Sequence, residues 1–483
     1  MRRGGGLWAA GAGLALSLLQ CQGGARPPAA AAGAWEYEVT PPGPGSWRVA
    51  VEATIERAPG ERLVAGEAPA AFHEVSVLST GGQVAPAARD GDAWVVPACR
   101  KRCRLRYDVD LDALASACHR LDCGRRVGDA VVSQASAWML RPEGAGDAAV
   151  RVRLPAGPSE RFATGLRRDP GGDGFVLRAE DLGEASYTAF GSFRRATIDA
   201  PGARLDLVLL GAPIAMGDAG VAAWVRGAAG CVSDLFGRFP VDATIFIVPV
   251  AGADEVVFGR VMSLTGASVV LLFGAEARPE NAPHDWVAVH ELFHLACPSF
   301  VGEGHWLEEG LATYYEPILR ARAGWMTEAE LWGDFVEQMP RGLRTAGEPA
   351  SLEERDDMNS TYWGGALFAL LADVRIRTLS LQGGGSPRSL DDVLRAVLAR
   401  QGDATHRARV ADFLRTGAEA VGLGALEEVY EQDAVRGENV DLADLWSRLG
   451  VERGEGGQGG PAVHLRDDAP LAAVRKAIAG TGH

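Results

Sequence analysis

His290-Glu291-Leu292-Phe293-His294 decides how the rest of the chain is read. On an α-helix, side chains four apart share a face, so both imidazoles can reach one metal ion while Glu291 approaches from beside them. The neighbouring residues support a helix over 284–296. Trp286, Val289, Phe293 and Ala296 recur at helical spacing, Pro283 suits a first turn, and Pro298 discourages continuation. Zinc accepts imidazole nitrogen and, at a catalytic site, takes three protein ligands and leaves the fourth position to water. A third donor is therefore expected nearby, and Trp306-Leu307-Glu308-Glu309-Gly310-Leu311 offers two carboxylates. A His-Glu-x-x-His string on a plain exposed helix face is the rival reading, and the acidic segment that follows speaks against it.

Outward from this motif the pattern is mainly helical, with helical spacing over 306–322, 328–338, 362–379, 390–400, 410–418 and 442–449. Upstream, 205–210, 243–250 and 268–273 read as strands, with a helix over 220–236. From 35 to about 200, stretches such as 47–55 and 150–154 alternate apolar with polar residues between Gly and Pro clusters, the mark of antiparallel strands. The chain thus reads as multidomain α+β. Residues 1–21 form an export signal and 22–34 an Ala-, Pro- and Gly-rich linker. A β-sandwich-like unit spans 35–200, a mixed, then mainly helical unit spans 201–452, and 453–483 is a Gly-rich linker with a short tail that could form a helix over 472–479.

Length and charge agree with this division. At 483 residues the chain exceeds one ordinary core, and 47% apolar with 23% charged residues suits a folded, water-exposed enzyme rather than a disordered chain or a multi-span membrane protein. A net charge of -15 argues against nucleic acid, since binding phosphate requires clustered Lys and Arg. Arg2 and Arg3 precede an apolar run over 7–19 that is too short to span a bilayer. Leu18-Leu19-Gln20-Cys21 is similar to a bacterial lipoprotein signal, although Gln20 replaces the usual small residue. Lipidation of Cys21, which would attach the protein to a membrane, and ordinary cleavage nearby both stay open; either places the protein in the bacterial cell envelope, periplasmic or lipid-anchored. Of the remaining cysteines, Cys99, Cys103, Cys118 and Cys123 suit disulfides better than a zinc clip, and Cys231 and Cys297 complete an even count.

The segment Trp306 to Gly310 resembles the Trp-x-x-Glu-Gly signature of gluzincin metallopeptidases, in which the acid before the glycine is the third zinc ligand. The resemblance implies Glu309 rather than Glu308. Tyr362-Trp363-Gly364-Gly365 looks like the family's Tyr-x-Lys-Gly segment, with Gly364 in place of the lysine. Residues 369–377 and 389–393 are similar to the glycyl aminopeptidase family in particular. What this implies is a thermolysin-like catalytic domain that holds one zinc ion per chain through His290, His294 and Glu309. Glu291 would be the general base, Tyr362 would steady the oxyanion, and a peptide or protein would be the substrate. Where the family carries a Gly-Gly-x-Glu-His-type strand that anchors a free amino terminus, this chain has Gly259-Arg260-Val261-Met262-Ser263. The missing carboxylate at Met262 favours an endopeptidase over an aminopeptidase.

Other residues near the motif carry weaker readings. Thr313 could support a ligand histidine by a hydrogen bond or be a plain helix-face residue. His305 and Glu308 read as solvated or supporting, Tyr314 and Tyr315 as packing residues, and Asp373, Arg375 and Arg377 as an ion pair beneath the site. A rival of a different class is a zinc-binding surface lipoprotein that holds peptides without cleaving them, which would not need Glu291. Nothing in the sequence fixes the oligomeric state.

Overall fold

The alternating stretch near the N-terminus forms the strand Arg48–Glu56, in which Val49, Val51, Ala53 and Ile55 are buried. It lies inside a seven-stranded sheet between Ala34–Thr40 and Arg102–Asp110. The computed structural model describes residues 34–480 except 59, 80, 119, 145, 156–159, 301, 303, 385, 423 and 455–462, so the expected signal and Cys21 lie outside the described residues. Two four-stranded sheets complete this β-rich unit, around a core containing Trp35, Tyr37, Tyr107 and Trp138. The expectation of purely antiparallel pairing needs one correction: Ala34–Thr40 runs parallel to Ala149–Arg153. Parallel neighbours need a long crossover, which the intervening chain supplies. Cys99 and Cys103 form a disulfide and Cys123 is also disulfide-bonded, whereas Cys231 and Cys297 are free thiols buried in the second unit's core.

The second unit begins with a five-stranded sheet in the order Arg194–Ala200, Ala203–Leu209, Ala243–Val250, Ser268–Gly274, Val256–Met262. Its three middle strands are parallel and each edge strand is antiparallel to its neighbour. The helix Gly217–Phe236 makes the crossover that the first parallel pair requires. The strand Arg194–Ala200, assigned by sequence to the first unit, belongs here, because its hairpin sets the buried Ile198 opposite Leu205. The two units share an apolar layer in which Ala130, Val132 and Tyr187 meet Phe246, Val270 and Met262.

Helices then cover the sheet: Val287–His294, His305–Arg322, Glu328–Gln338, Gly365–Gly383, Leu390–Gln401, Val410–Val421 and Leu442–Leu449. Two of them touch backbone to backbone. A Cβ on Gly310 would lie 2.3 Å from the Gly365 Cα, and one on Gly365 would lie 2.0 Å from the Trp306 carbonyl oxygen. Further along, buried polar groups tie His305–Arg322 to Gly365–Gly383 and to Leu390–Gln401. Tyr314 donates to Asp373 (2.9 Å), Tyr315 to Asp391 (2.9 Å) and Arg322 to Asp391 (3.0 Å). Asp373 also pairs with Arg377 at 2.9 Å, as the sequence suggested, but Arg375 turns outward to Glu428. Burial alone would raise the Asp391 carboxyl, yet Arg322 and Arg377 hold it below the usual range.

The C-terminal segment is not a loose tail. Val463–Leu465 pairs with Val451–Arg453, and the helix Ala472–Ala479 puts Val474 and Ile478 into the main core. Arg475, its side chain 1% exposed, donates to Glu328 at 2.8 Å, to Asp467 at 2.6 Å and to the Arg466 carbonyl at 2.9 Å. Among the described residues no helix is long and apolar enough to cross a membrane. Arg475→Ala is expected to destabilise the protein by about 3–5 kcal/mol, the usual cost of breaking a buried ion pair. Urea unfolding checks this, and an unchanged midpoint would mean that the segment docks without the guanidinium.

Candidate metal centre

The histidine helix starts later than its sequence suggests. Pro283 sits in a separate 3₁₀ turn, Pro279–His284, because Asp285 is extended at φ -75° and ψ 121°. Asp285, 2% exposed, then anchors the helix start, accepting from the Val287 N–H at 2.9 Å and from the Trp224 indole at 2.7 Å. One turn on, His290 and His294 point to the same side. Their Nε2 atoms are 3.2 Å apart, and Glu309 Oε2 lies 3.2 Å from His290 Nε2 and 3.4 Å from His294 Nε2.

These three distances test the donor set against zinc. Ligands about 2.0–2.1 Å from a tetrahedral ion are about 3.3–3.4 Å apart, so the triangle has the edge length of a zinc site. Among the described residues this is the one such group of His, Cys, Asp and Glu side chains. The electrostatics agree. Burial opposes charge on both imidazoles and lowers the pKa of His290, but at His294 the Glu309 carboxylate outweighs burial and draws it up to about 9. Burial would raise Glu309, yet the histidines hold its carboxyl far below the usual range. The space between the three side chains therefore favours positive charge.

Glu291 stands beside the triangle, with its carboxyl pushed up to about 7 by burial. The edge strand Val256–Met262 runs so close to it that a Cβ on Gly259 would lie 2.2 Å from the Glu291 Cγ. A side chain at Gly259 would displace the Glu291 carboxylate from its present position. Tyr362 occupies a π-helical turn, Asn359–Gly364, directly before the helix Gly365–Gly383. Such turns, which insert one residue into a helical ladder, redirect side chains and recur at functional sites. Its ring stacks on His290 with centroids 6.1 Å apart, and burial, then the charges of Glu309 and Glu291, push its phenol well up.

The other residues singled out in the sequence lie around this triangle. Thr313 is buried, but its Oγ1 makes no hydrogen bond among the described residues, so it does not support a ligand histidine. Glu308 turns away from the triangle and accepts from the Phe300 N–H, and His305 is exposed on a cavity wall. Tyr315 stacks on Phe293 of the histidine helix at 5.4 Å.

Two cavities meet at Glu291, Gly259 and Tyr362. One, of about 530 Å³, is the more polar of the two and includes Arg260, His294 and Glu308; Asp122 of the first unit holds Arg260 at 2.7 Å. The other, of about 570 Å³, is more apolar and includes Phe258, Trp286, Thr313 and Met358. Sequence reading missed this second wall. Its one available signal was Thr313, Glu316 and Arg320, polar at i, i+3 and i+7 on an otherwise buried helix.

No protein-family model matches the sequence, and no curated protein matches it. Solved structures do resemble the fold. An aminopeptidase N family protein from Idiomarina loihiensis superimposes with a TM-score of 0.62 at 19% identity, covering 86% of this chain and 78% of that one. An M1 zinc metallopeptidase from Deinococcus radiodurans gives 0.49 at 16% identity, over 84% of this chain and 94% of that one. The first likeness establishes a shared multidomain fold, β-rich before the site and helical around and after it.

The Asp285 anchor has a pH signature. Burial raises its carboxyl to about 6, against the partial relief given by Trp224 and the Val287 N–H. A raised acid favours the folded state while it is protonated, so its contribution is lost as pH climbs from about 4, the unfolded value, to about 6. Asp285→Asn keeps an acceptor at the helix start and removes the charge. It is expected to be more stable than the parent at pH 8 by on the order of 2 kcal/mol, with the gap closing at pH 4. Urea midpoints at the two pH values check this, and a parent more stable at pH 8 would refute it.

Proposed function

We propose that this chain is a zinc-dependent peptidase of the gluzincin type, with one zinc ion per chain held by His290, His294 and Glu309. The observation that carries the reading is the donor triangle, 3.2–3.4 Å on each side, next to an unliganded, partly buried carboxylate, Glu291. A purely binding or structural zinc site has no use for that carboxylate. The fold shared with an aminopeptidase N family protein supports the same reading.

When bound, zinc supplies Lewis-acid polarisation of water and of a carbonyl oxygen. Glu291 accepts a proton from the attacking water and returns it to the departing amine, so one carboxylate serves as base and then as acid. Its place beside the donor triangle, bonded to none of the three side chains, leaves it free for both roles. The Tyr362 hydroxyl keeps its proton and donates a hydrogen bond to the growing oxyanion. The outer side of Val256–Met262 has no neighbouring strand among the described residues, so its backbone offers an extended peptide a place to pair.

Cleavage of internal bonds is favoured over removal of N-terminal residues. Met262 stands at the end of that strand, on the wall of the more polar cavity, at the position where the family resemblance implies an amine-anchoring acid. Cavities on both sides of Glu291 leave room for chain in both directions. The reading of residues 1–21 as an export signal, with Cys21 as a lipid attachment point, places this activity in the cell envelope.

Glu291→Gln is expected to keep one zinc per chain by metal analysis while hydrolysis falls by about 10²–10⁴-fold, the usual worth of a general base. Equal activity in the variant would reject the mechanism. Peptides with free and acetylated N-termini are expected to be cleaved at similar kcat/KM, and strict dependence on a free amine would reject the endopeptidase reading.

A further inference from the structure

A third cavity, of about 880 Å³, lies in the seam between the two units, with Phe162 and Arg167 of the first and Thr244 and Thr405 of the second on its walls. Four arginines and three acids line it, an excess of one positive charge in a chain whose net charge is -15. Two of the acids are taken up by one arginine. Arg204 donates from Nε to Asp206 at 2.9 Å and from its backbone N–H to Asp242 at 2.7 Å. Glu160 is then the acid left opposite Arg167, Arg168 and Arg195, and none of these three makes an ion pair with a carboxylate among the described residues. Burial draws the pKa of Arg195 down, although Asp206 and Glu160 act against it. All three side chains are nevertheless held in place. Arg195 donates to the Phe162 carbonyl at 2.7 Å, Arg167 donates to the Thr405 carbonyl at 3.3 Å, and the Arg168 guanidinium lies over the Phe175 ring, 5.6 Å from its centroid. A guanidinium has five N–H donors, so each keeps several to offer, and Arg168 and Arg195 are exposed enough to offer them to a ligand.

The seam adjoins the more polar of the two cavities at the donor triangle. Leu264 and Ala404 are on that cavity, Gly266 and Thr405 on this one. Arg167 bonds to both dividing segments, with its backbone N–H on the Thr265 carbonyl at 2.7 Å and its side chain on the Thr405 carbonyl. The Ala404 N–H in turn donates at 3.2 Å to the carbonyl of Leu295, the residue after His294. A peptide that leaves the triangle along the polar cavity therefore has the arginines of the seam within a few residues' reach, since extended chain advances about 3.3 Å per residue. Arg168 and Arg195 come from separate elements and are fixed by separate partners, which suits carboxylates carried at intervals along a chain better than one compact anion. Resting on the peptidase reading above, we propose that the seam is an accessory surface for an acidic stretch of the substrate, beyond the residues next to the cleaved bond, with Arg168 and Arg195 receiving its carboxylates.

The test uses acetylated peptides with one common central segment, extended on either side in turn by roughly six residues, about 20 Å of chain, rich in glutamate or in glutamine. Hydrolysis by the zinc-loaded protein is measured together with binding to the zinc-loaded Glu291→Gln variant by calorimetry. On one side the glutamate extension is expected to lower KM and Kd by about tenfold against glutamine at low salt, with kcat unchanged, because a contact remote from the bond binds equally before and at the transition state. The advantage is expected to shrink at high salt, where exposed charges are screened. Replacing Arg168 and Arg195 together by glutamine is expected to bring the two extensions within about twofold, while the unextended peptide is cut as by the parent and zinc stays at one per chain. Equal KM and Kd for the two extensions on both sides, or an advantage that survives the double replacement, would overturn the accessory surface and leave the peptidase reading standing. Selective binding of the glutamate extension, lost in the double variant, with no hydrolysis by the unaltered protein would overturn the peptidase reading and leave the seam an acidic-peptide site.

Discussion

The close approach of Gly310 to Gly365 sets the spacing on which the rest of the site depends. Glu309 and Tyr362 lie on different helical segments, one residue before Gly310 and three before Gly365. Any side chain at either glycine would meet backbone atoms closer than 3 Å. With the helices drawn together, the carboxylate reaches both imidazoles and the phenol ring stacks on His290. Moving the glutamate helix outward by the width of a methyl group would open a triangle whose sides already match the edge of a tetrahedral zinc site.

The surrounding structure keeps these pieces in place by burial rather than by flexible surface contacts. Behind the glutamate helix, Tyr314 and Tyr315 reach the carboxylates of Asp373 and Asp391, which are paired in turn with Arg377 and Arg322. Beneath the histidine helix, Asp285 fixes the first turn and Phe293 stacks on Tyr315. The C-terminal helix closes the same core through Arg475 and Glu328. On the open side, Gly259 lets the edge strand press against Glu291, so the strand, Glu291 and the donor triangle form one wall between a more polar and a more apolar cavity.

Much of this was legible in the sequence, and the limits have a physical pattern. His290 and His294 were readable because helix periodicity is local. The helices Glu328–Gln338 and Leu442–Leu449 and the strand Ala243–Val250 run as their periodicity predicts. What failed depended on contacts distant in sequence. Arg194–Ala200 alternates like the strands before it, and only its pairing with Ala203–Leu209 shows which unit it joins. The C-terminal segment looked like a linker because its anchor, Arg475, finds Glu328 far back in the chain. Thr313 lies on the expected helix, and of its two readings the plain helix-face one agrees with a hydroxyl that is buried without a hydrogen-bond partner among the described residues. The choice of Glu309 over Glu308 came from a family signature. In the structure Glu309 lies with the two imidazoles, and Glu308 accepts from the Phe300 N–H.

X-ray absorption at the zinc edge of the zinc-loaded protein tests the central claim most directly. Two imidazole nitrogens and one carboxylate oxygen around the ion, at about 2.0–2.2 Å, are the result this account requires. Sulfur scattering at about 2.3 Å, the sign of a cysteine ligand, or a spectrum unchanged when His294 is replaced by alanine, would contradict it.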